Sequence, residues 1–165
     1  MGLGTFLAIL VPSIAVTQTA PQASPKFYCF PDPTGNHSTQ VSIPGRKPLE
    51  LISWKKTANP RATCDRISRR FQDFYEAGKL NYIKSGKSDK TGVDIICGTA
   101  EDIECKNERD KLFDLPFYNK AVNFLADDLK NRLMDGSGKP IYQGSDDEFT
   151  INFQEMLAEL RSSKK

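Results

Sequence analysis

The chain has 165 residues, enough for one domain with a real hydrophobic core. It carries 23 basic and 21 acidic residues, a formal net charge of +2, and this near-balance argues against a dedicated nucleic-acid binder. Cations cluster at Arg46-Lys47, Lys55-Lys56, Arg66-Arg69-Arg70 and Lys84-Lys87-Lys90, and acids at Glu101-Asp102-Glu104 and Asp146-Asp147-Glu148, which together describe a solvated surface of mixed charge.

Leu3 to Val16 is almost wholly apolar and has no charged side chain. It is short for a bilayer span and holds Pro12, but it suits the apolar region of a secretory signal peptide. No Lys or Arg precedes it, so the α-amino group supplies the positive charge or the true start lies upstream. Ser13 and Ala15 permit cleavage, and Pro21 and Pro25 mark a linker. The expected organisation is a signal peptide and linker over residues 1–23, a domain over 26–160 and a short basic tail over 161–165.

Past that segment, Phe27 to Phe30 reads as a strand ended by the turn Pro31 to Asn36. Ser38 to Ile43 and Leu49 to Trp54 follow as further strands, which makes a three-stranded meander. Asn59-Pro60 is a cap followed by a proline at the first helical position. The helix it opens has Ile67, Phe71, Phe74 and Tyr75 on one face and Gly78 where a left-handed cap belongs. Leu80 with Tyr82, and Val93 with Ile95 and Cys97, alternate as a strand pair around a polar loop from Ser85 to Gly92. Leu112 to Leu115 is a short strand stopped by Pro116.

A second helix is expected from about Asn119 to Met134, with Val122, Leu125, Ala126, Leu129 and Leu133 on one stripe. Ile141-Tyr142 and Phe149 to Ile151 read as final strands. The last helix starts near Phe153, with Asn152 and Glu155 as a capping box and Met156, Leu157 and Leu160 turned inward. The predicted fold class is α+β, a single domain with an antiparallel sheet covered by two or three amphipathic helices and stabilised by disulfides.

Cys29, Cys64, Cys97 and Cys105 are an even set in a chain bound for an oxidising compartment. Zinc is the rival reading, but the spacing holds no C-x-x-C pair and His37, the one histidine, is not placed as a fourth ligand. Three disulfide connectivities remain open. The preferred one joins Cys29 to Cys64, fastening the first helix to the sheet, and Cys97 to Cys105, clamping the turn after a core strand.

The search for catalytic groups finds none. His37 lies in a Gly-Asn-His-Ser stretch and reads as an exposed loop residue. Asp127-Asp128 fall on an outward helix face, and Asp146-Asp147-Glu148 match no calcium-loop spacing. Asp135 to Lys139 follows a helix instead of preceding one, so it reads as a turn, not a phosphate loop. No metal site and no cofactor are expected. Asn36-His37-Ser38 is a formal glycosylation sequon. Trp54, at the end of an apolar strand, is expected in the core or at its edge.

Taken in order, these segments resemble the circadian oscillating polypeptide domain of cyanobacteria. The resemblance runs from Phe27 to about Leu157. Its pieces are Phe27-Tyr28-Cys29, Leu51 to Trp54, Asn59 to Phe71, Gly78 to Ile83, Ile95-Ile96-Cys97, Cys105, Lys111 to Leu115 and Gly138 to Tyr142. The sequence departs from the pattern at Lys55 to Thr57 and at Glu101-Asp102. The resemblance implies a cyanobacterial host, export and peripheral association with a membrane or cell surface, and it supplies no catalytic residue. The expected function is that of an exported, non-enzymatic binding module, a monomer whose partner is an unidentified protein or envelope component. Arg66, Arg69 and Arg70 could rest on an anionic membrane. The alternatives are a small secreted hydrolase using carboxylates, and a secreted inhibitor presenting the Ser85 to Gly92 loop.

Overall fold

The computed structural model describes residues 1, 23–55, 57–115, 129, 142–145 and 148–162. Eight strands and two helices occur among them: β1 (Lys26–Pro31), β2 (His37–Ser42), β3 (Leu49–Ser53), α1 (Pro60–Glu76), β4 (Tyr82–Lys87), β5 (Asp94–Thr99), β6 (Lys111–Asp114), β7 (Tyr142–Ser145), β8 (Glu148–Asn152) and α2 (Phe153–Ser162). The class is α+β, with every strand pair antiparallel.

The strands form two sheets where one was expected, a meander in the order β1-β2-β3 and a second sheet in the order β6-β5-β4-β8-β7. Alternation marks which face of a strand is buried but not which strand lies beside it. The predicted helix from Asn119 to Met134 lies outside the described residues except for Leu129, which is buried in the core. The predicted basic tail is shorter, because Arg161 and Ser162 finish α2 and residues 163–165 lie outside.

The start of α1 is set by Asn59, whose side chain accepts a hydrogen bond from the Ala62 amide, and by Pro60 just after it. Its end is set by Gly78 at φ 67°, with the Gly78 amide donating to Tyr75 and the Lys79 amide to Phe74. One half of the capping box at α2 is as read, with the Glu155 amide donating to Asn152 Oδ1, while Glu155 Oε2 accepts from the Asn152 side-chain amide.

One hydrophobic cluster draws on both sheets and both helices. Phe71 of α1 is fully buried and stacks on Phe27 of β1 at 5.7 Å. It also meets Phe113 of β6 at 6.5 Å, and Phe113 meets Trp54 edge-on at 5.7 Å. The aromatic chain thus crosses from one sheet to the other through α1. Trp54 is a core residue, 7% exposed, and its indole N–H donates to Thr39, which also accepts from Ser68 of α1.

Both disulfides form in the preferred connectivity, Cys29–Cys64 and Cys97–Cys105, and no cysteine is free. The first bolts β1 to α1 over a separation of 35 residues, and the second closes a loop over a separation of 8. Loop-closure entropy then assigns about 4 kcal/mol to the first and about 2.5 kcal/mol to the second. Replacing Cys29 and Cys64 together with serine should therefore lower the unfolding free energy by roughly 1 kcal/mol more than replacing Cys97 and Cys105, as read by denaturant unfolding.

Candidate functional site

The strongest cluster of charged side chains among the described residues is built on β4. Ile83 and Ser85 are fully buried. The Ser85 hydroxyl accepts from the Phe149 amide of β8 at 2.8 Å. Lys84, between them, is on the opposite face and would be solvated if that face were bare. It is not bare. The loop between β5 and β6 folds back across it, held by Cys97–Cys105, and Lys84 stands directly beside Cys97 in the β4–β5 register. A second small cluster of Ile95, Cys97 and Cys105 fills this side, so β5 is buried on both faces. Gly86 has no side chain because the Cys105 backbone occupies the place a Cβ would need.

With its side chain only 5% exposed, Lys84 is paired with Asp102 at 2.7 Å and Glu148 at 3.1 Å. Burial pushes the ammonium toward its neutral form, but the bonds to Asp102 and Glu148 outweigh this, and its pKa lies above the ordinary lysine value. The predicted picture of Lys84 as part of a solvated basic run is therefore corrected. The polar alternation around it resembles a surface strand, and the acids that neutralise it are distant in sequence. The two acidic clusters, read separately, meet here through Asp102 and Glu148, while Asp146 and Asp147 lie outside the described residues.

Other expectations are adjusted in the same way. The polar loop begins at Ser88, not Ser85, since β4 runs on to Lys87, and Val93 lies exposed in the turn before β5. The turn is pinned, with the Ser88 amide donating to the Val93 carbonyl and the Asp89 amide to the Lys106 carbonyl. His37 is half-buried and opens β2 opposite Pro31, where an exposed loop position was expected. In the preceding turn, hydrogen bonds from Thr34 and Asn36 hold the Asp32 carboxyl at about 2. The sequon amide Asn36 Nδ2 donates to Asp32 and to Thr34, and Ser38 is buried, so both ends of the sequon are engaged. Asp127, Asp128 and Asp135 to Lys139 lie outside the described residues.

Of the three arginines on α1, Arg70 is committed to the fold. Its Nε donates to the Lys111 carbonyl of β6 at 2.5 Å, and its guanidinium lies 5.3 Å from the Phe74 ring centre. Arg66 and Arg69 are exposed. Among the described residues, no group of three His, Cys, Asp or Glu side chains could hold a metal ion, and no helix is long and apolar enough to cross a membrane.

Comparison with known families decides the affiliation. The family model described as circadian oscillating protein COP23 matches residues 26–158. The chain belongs to the COP23 family. That match begins at the first residue of β1 and ends within α2, so the family covers both sheets and both disulfides. No curated protein and no solved structure matches the chain. The four cysteines of this COP23 member carry the clearest functional reading of its predicted site residues, and the structure uses all four as two structural bonds.

Lys84 gives a test of the cluster. Lys84→Met removes a buried charge and leaves two half-exposed carboxylates, so it should cost no more than about 1 kcal/mol. Asp102→Asn with Glu148→Gln leaves the ammonium buried and unpaired and should cost about 3 kcal/mol. Because the folded-state pKa is raised, the contribution of Lys84 is complete below the ordinary lysine value and is lost as pH rises through the raised one. Denaturation midpoints of wild type and Lys84→Met should therefore converge at strongly alkaline pH.

Proposed function

We propose that this protein is an exported, non-enzymatic binding module that rests on an anionic membrane surface of the envelope through the outer face of α1. The observation that carries this reading is the order of charges on that helix. Exposed Arg61, Asp65, Arg66 and Arg69 precede exposed Asp73 and Glu76 along it, with no acid in the first turn and no base in the last. At the two ends, where the helix macrodipole acts, Arg61 and the acids Asp73 and Glu76 have the sign it disfavours, by about 0.3–1 kcal/mol each. Arg66 and Arg69, exposed beyond the first turn, support contact with an anionic surface.

Two further observations agree with it. Asp65 offsets Arg61 through an i,i+4 contact at 3.9 Å, but Arg66 and Arg69 show no such pairing among the salt bridges of the described residues. The closed disulfides, with all four cysteines consumed, suit an oxidising compartment outside the cytoplasm. The non-enzymatic reading rests on where reactive side chains are used. Lys84 is locked between two carboxylates, and the Ser88 hydroxyl donates to Glu108.

Co-sedimentation with vesicles tests the membrane mode. The protein should pellet with vesicles containing phosphatidylglycerol, stay in solution with phosphatidylcholine alone, and be released by high salt. Replacing Arg66 and Arg69 with glutamine should weaken binding by about 2 kcal/mol, roughly thirtyfold. Equal binding to neutral vesicles, or no effect of the double replacement, contradicts the proposal.

A further inference from the structure

We propose that the strap from Glu101 to Arg109 is a thiol-operated latch, held shut over Lys84 by Cys97–Cys105 and opened, with the rest of the fold intact, when a dithiol reduces that bond. This goes beyond the membrane contact of α1 and rests on different residues.

Burial shows how little else closes the strap. Of its nine residues, Cys105 alone is buried, and Ile103, its one aliphatic side chain, is 47% exposed. Hydrophobic burial therefore gives closure no support beyond Cys105 itself. The other links are polar. Asp102 pairs with Lys84, Glu108 accepts from the Ser88 hydroxyl and pairs with Lys111, and the Lys106 carbonyl accepts from the Asp89 amide. The Asp102 and Glu108 side chains are still 52% and 37% exposed, and pairs so open to water stabilise little. The closed form also leaves a polar group unpaired. Thr99, two positions beyond Cys97 on the same face, is buried and its hydroxyl has no hydrogen-bond partner among the described residues.

The two disulfides differ in what depends on them. Cys64 belongs to the main core cluster, and its bond to Cys29 joins β1 to α1. Cys97 and Cys105 form, with Ile95, a cluster separate from that core. Both ends of the strap are secured without their bond. The Asn81 side-chain amide donates to the Ala100 carbonyl at 2.8 Å, and the Gly98 amide donates to the Asp110 carbonyl at 2.9 Å. Breaking Cys97–Cys105 thus frees nine residues between two fixed points and disconnects no strand or helix.

The exchange balances with a dithiol as co-reactant. One of its thiolates attacks the sulfur of Cys105, the less buried residue of the pair, and Cys97 leaves as a thiolate that takes a proton from water. The second thiol then displaces Cys105 from the mixed disulfide, so the reductant ends as its own disulfide and two electrons pass to the protein. As the strap lifts, Asp102 withdraws with it, and Lys84 keeps Glu148 and meets solvent.

The test uses the full chain, folded with both disulfides formed and titrated with dithiothreitol. Alkylation and peptide mapping should find Cys97 and Cys105 reduced while Cys29 and Cys64 are still joined. Acetylation of Lys84, slow at 5% exposure, should then rise roughly fiftyfold, the chain-entropy value for a closed loop of this length. The Asp89 amide should lose exchange protection while amides of β1, α1 and β4 keep theirs. The Cys97→Ser/Cys105→Ser variant should show the same Lys84 labelling with no reductant. Lys84 labelling that stays slow after Cys97–Cys105 is reduced overturns the proposal. So does reduction of Cys29–Cys64 first, or a Cys97–Cys105 bond that yields only as the whole domain loses protection.

Discussion

Two sheets that share no strand are held together by what α1 touches. Its Phe71 is buried against Phe27 of the first sheet and Phe113 of the second, and its Cys64 is covalently joined to β1. Its polar side chains also reach both sheets, Gln72 capping the Phe27 amide and Arg70 the Lys111 carbonyl. An edge strand leaves backbone groups unpaired, and side chains from the covering helix satisfy one on each sheet. Helix α2 adds to the same core through Phe153, which lies 6.0 Å from Phe27, and ties back to α1 through Arg161 and the Tyr75 hydroxyl.

With the core shared in this way, the surfaces left over have separate chemistries. The outer face of α1 carries exposed arginines. The outer face of the first sheet carries Tyr28, Phe30 and Gln40 together with Lys26 and Glu50. The outer face of the second sheet is closed by the loop ending at Cys105, with Lys84 beneath it neutralised by Asp102 and Glu148.

Local chemistry was legible in the residues, and spatial partnership was not. Asn59-Pro60, Gly78 and the Asn152–Glu155 box announce helix ends because capping depends on neighbours within a few positions. Placing Cys29 on a strand and Cys64 on the helix above it favoured the observed pairing among the three connectivities left open. The division into two sheets was hidden, since Leu80 to Cys97 alternates in the same way whichever strands lie alongside. Burial of Lys84 was hidden for a related reason, as its partners come from Asp102 and Glu148, 18 and 64 positions away. Phe30 and Tyr28 were read as part of a strand, but only the register of β1 on β2 and β3 shows them on one outward face with Ser38 and Gln40.

The claim that α1 makes one cooperative unit of two sheets is tested most directly by native-state hydrogen exchange on a Phe71→Ala variant. Removing that ring leaves a cavity at the junction, with an expected cost of about 3–5 kcal/mol. Amides of β1 and β2 and amides of β4 and β5 should then lose protection together and by similar amounts. Loss confined to β1 and β2, with β4 and β5 protected as in the wild type, would show that the second sheet stands without α1 and would contradict the account.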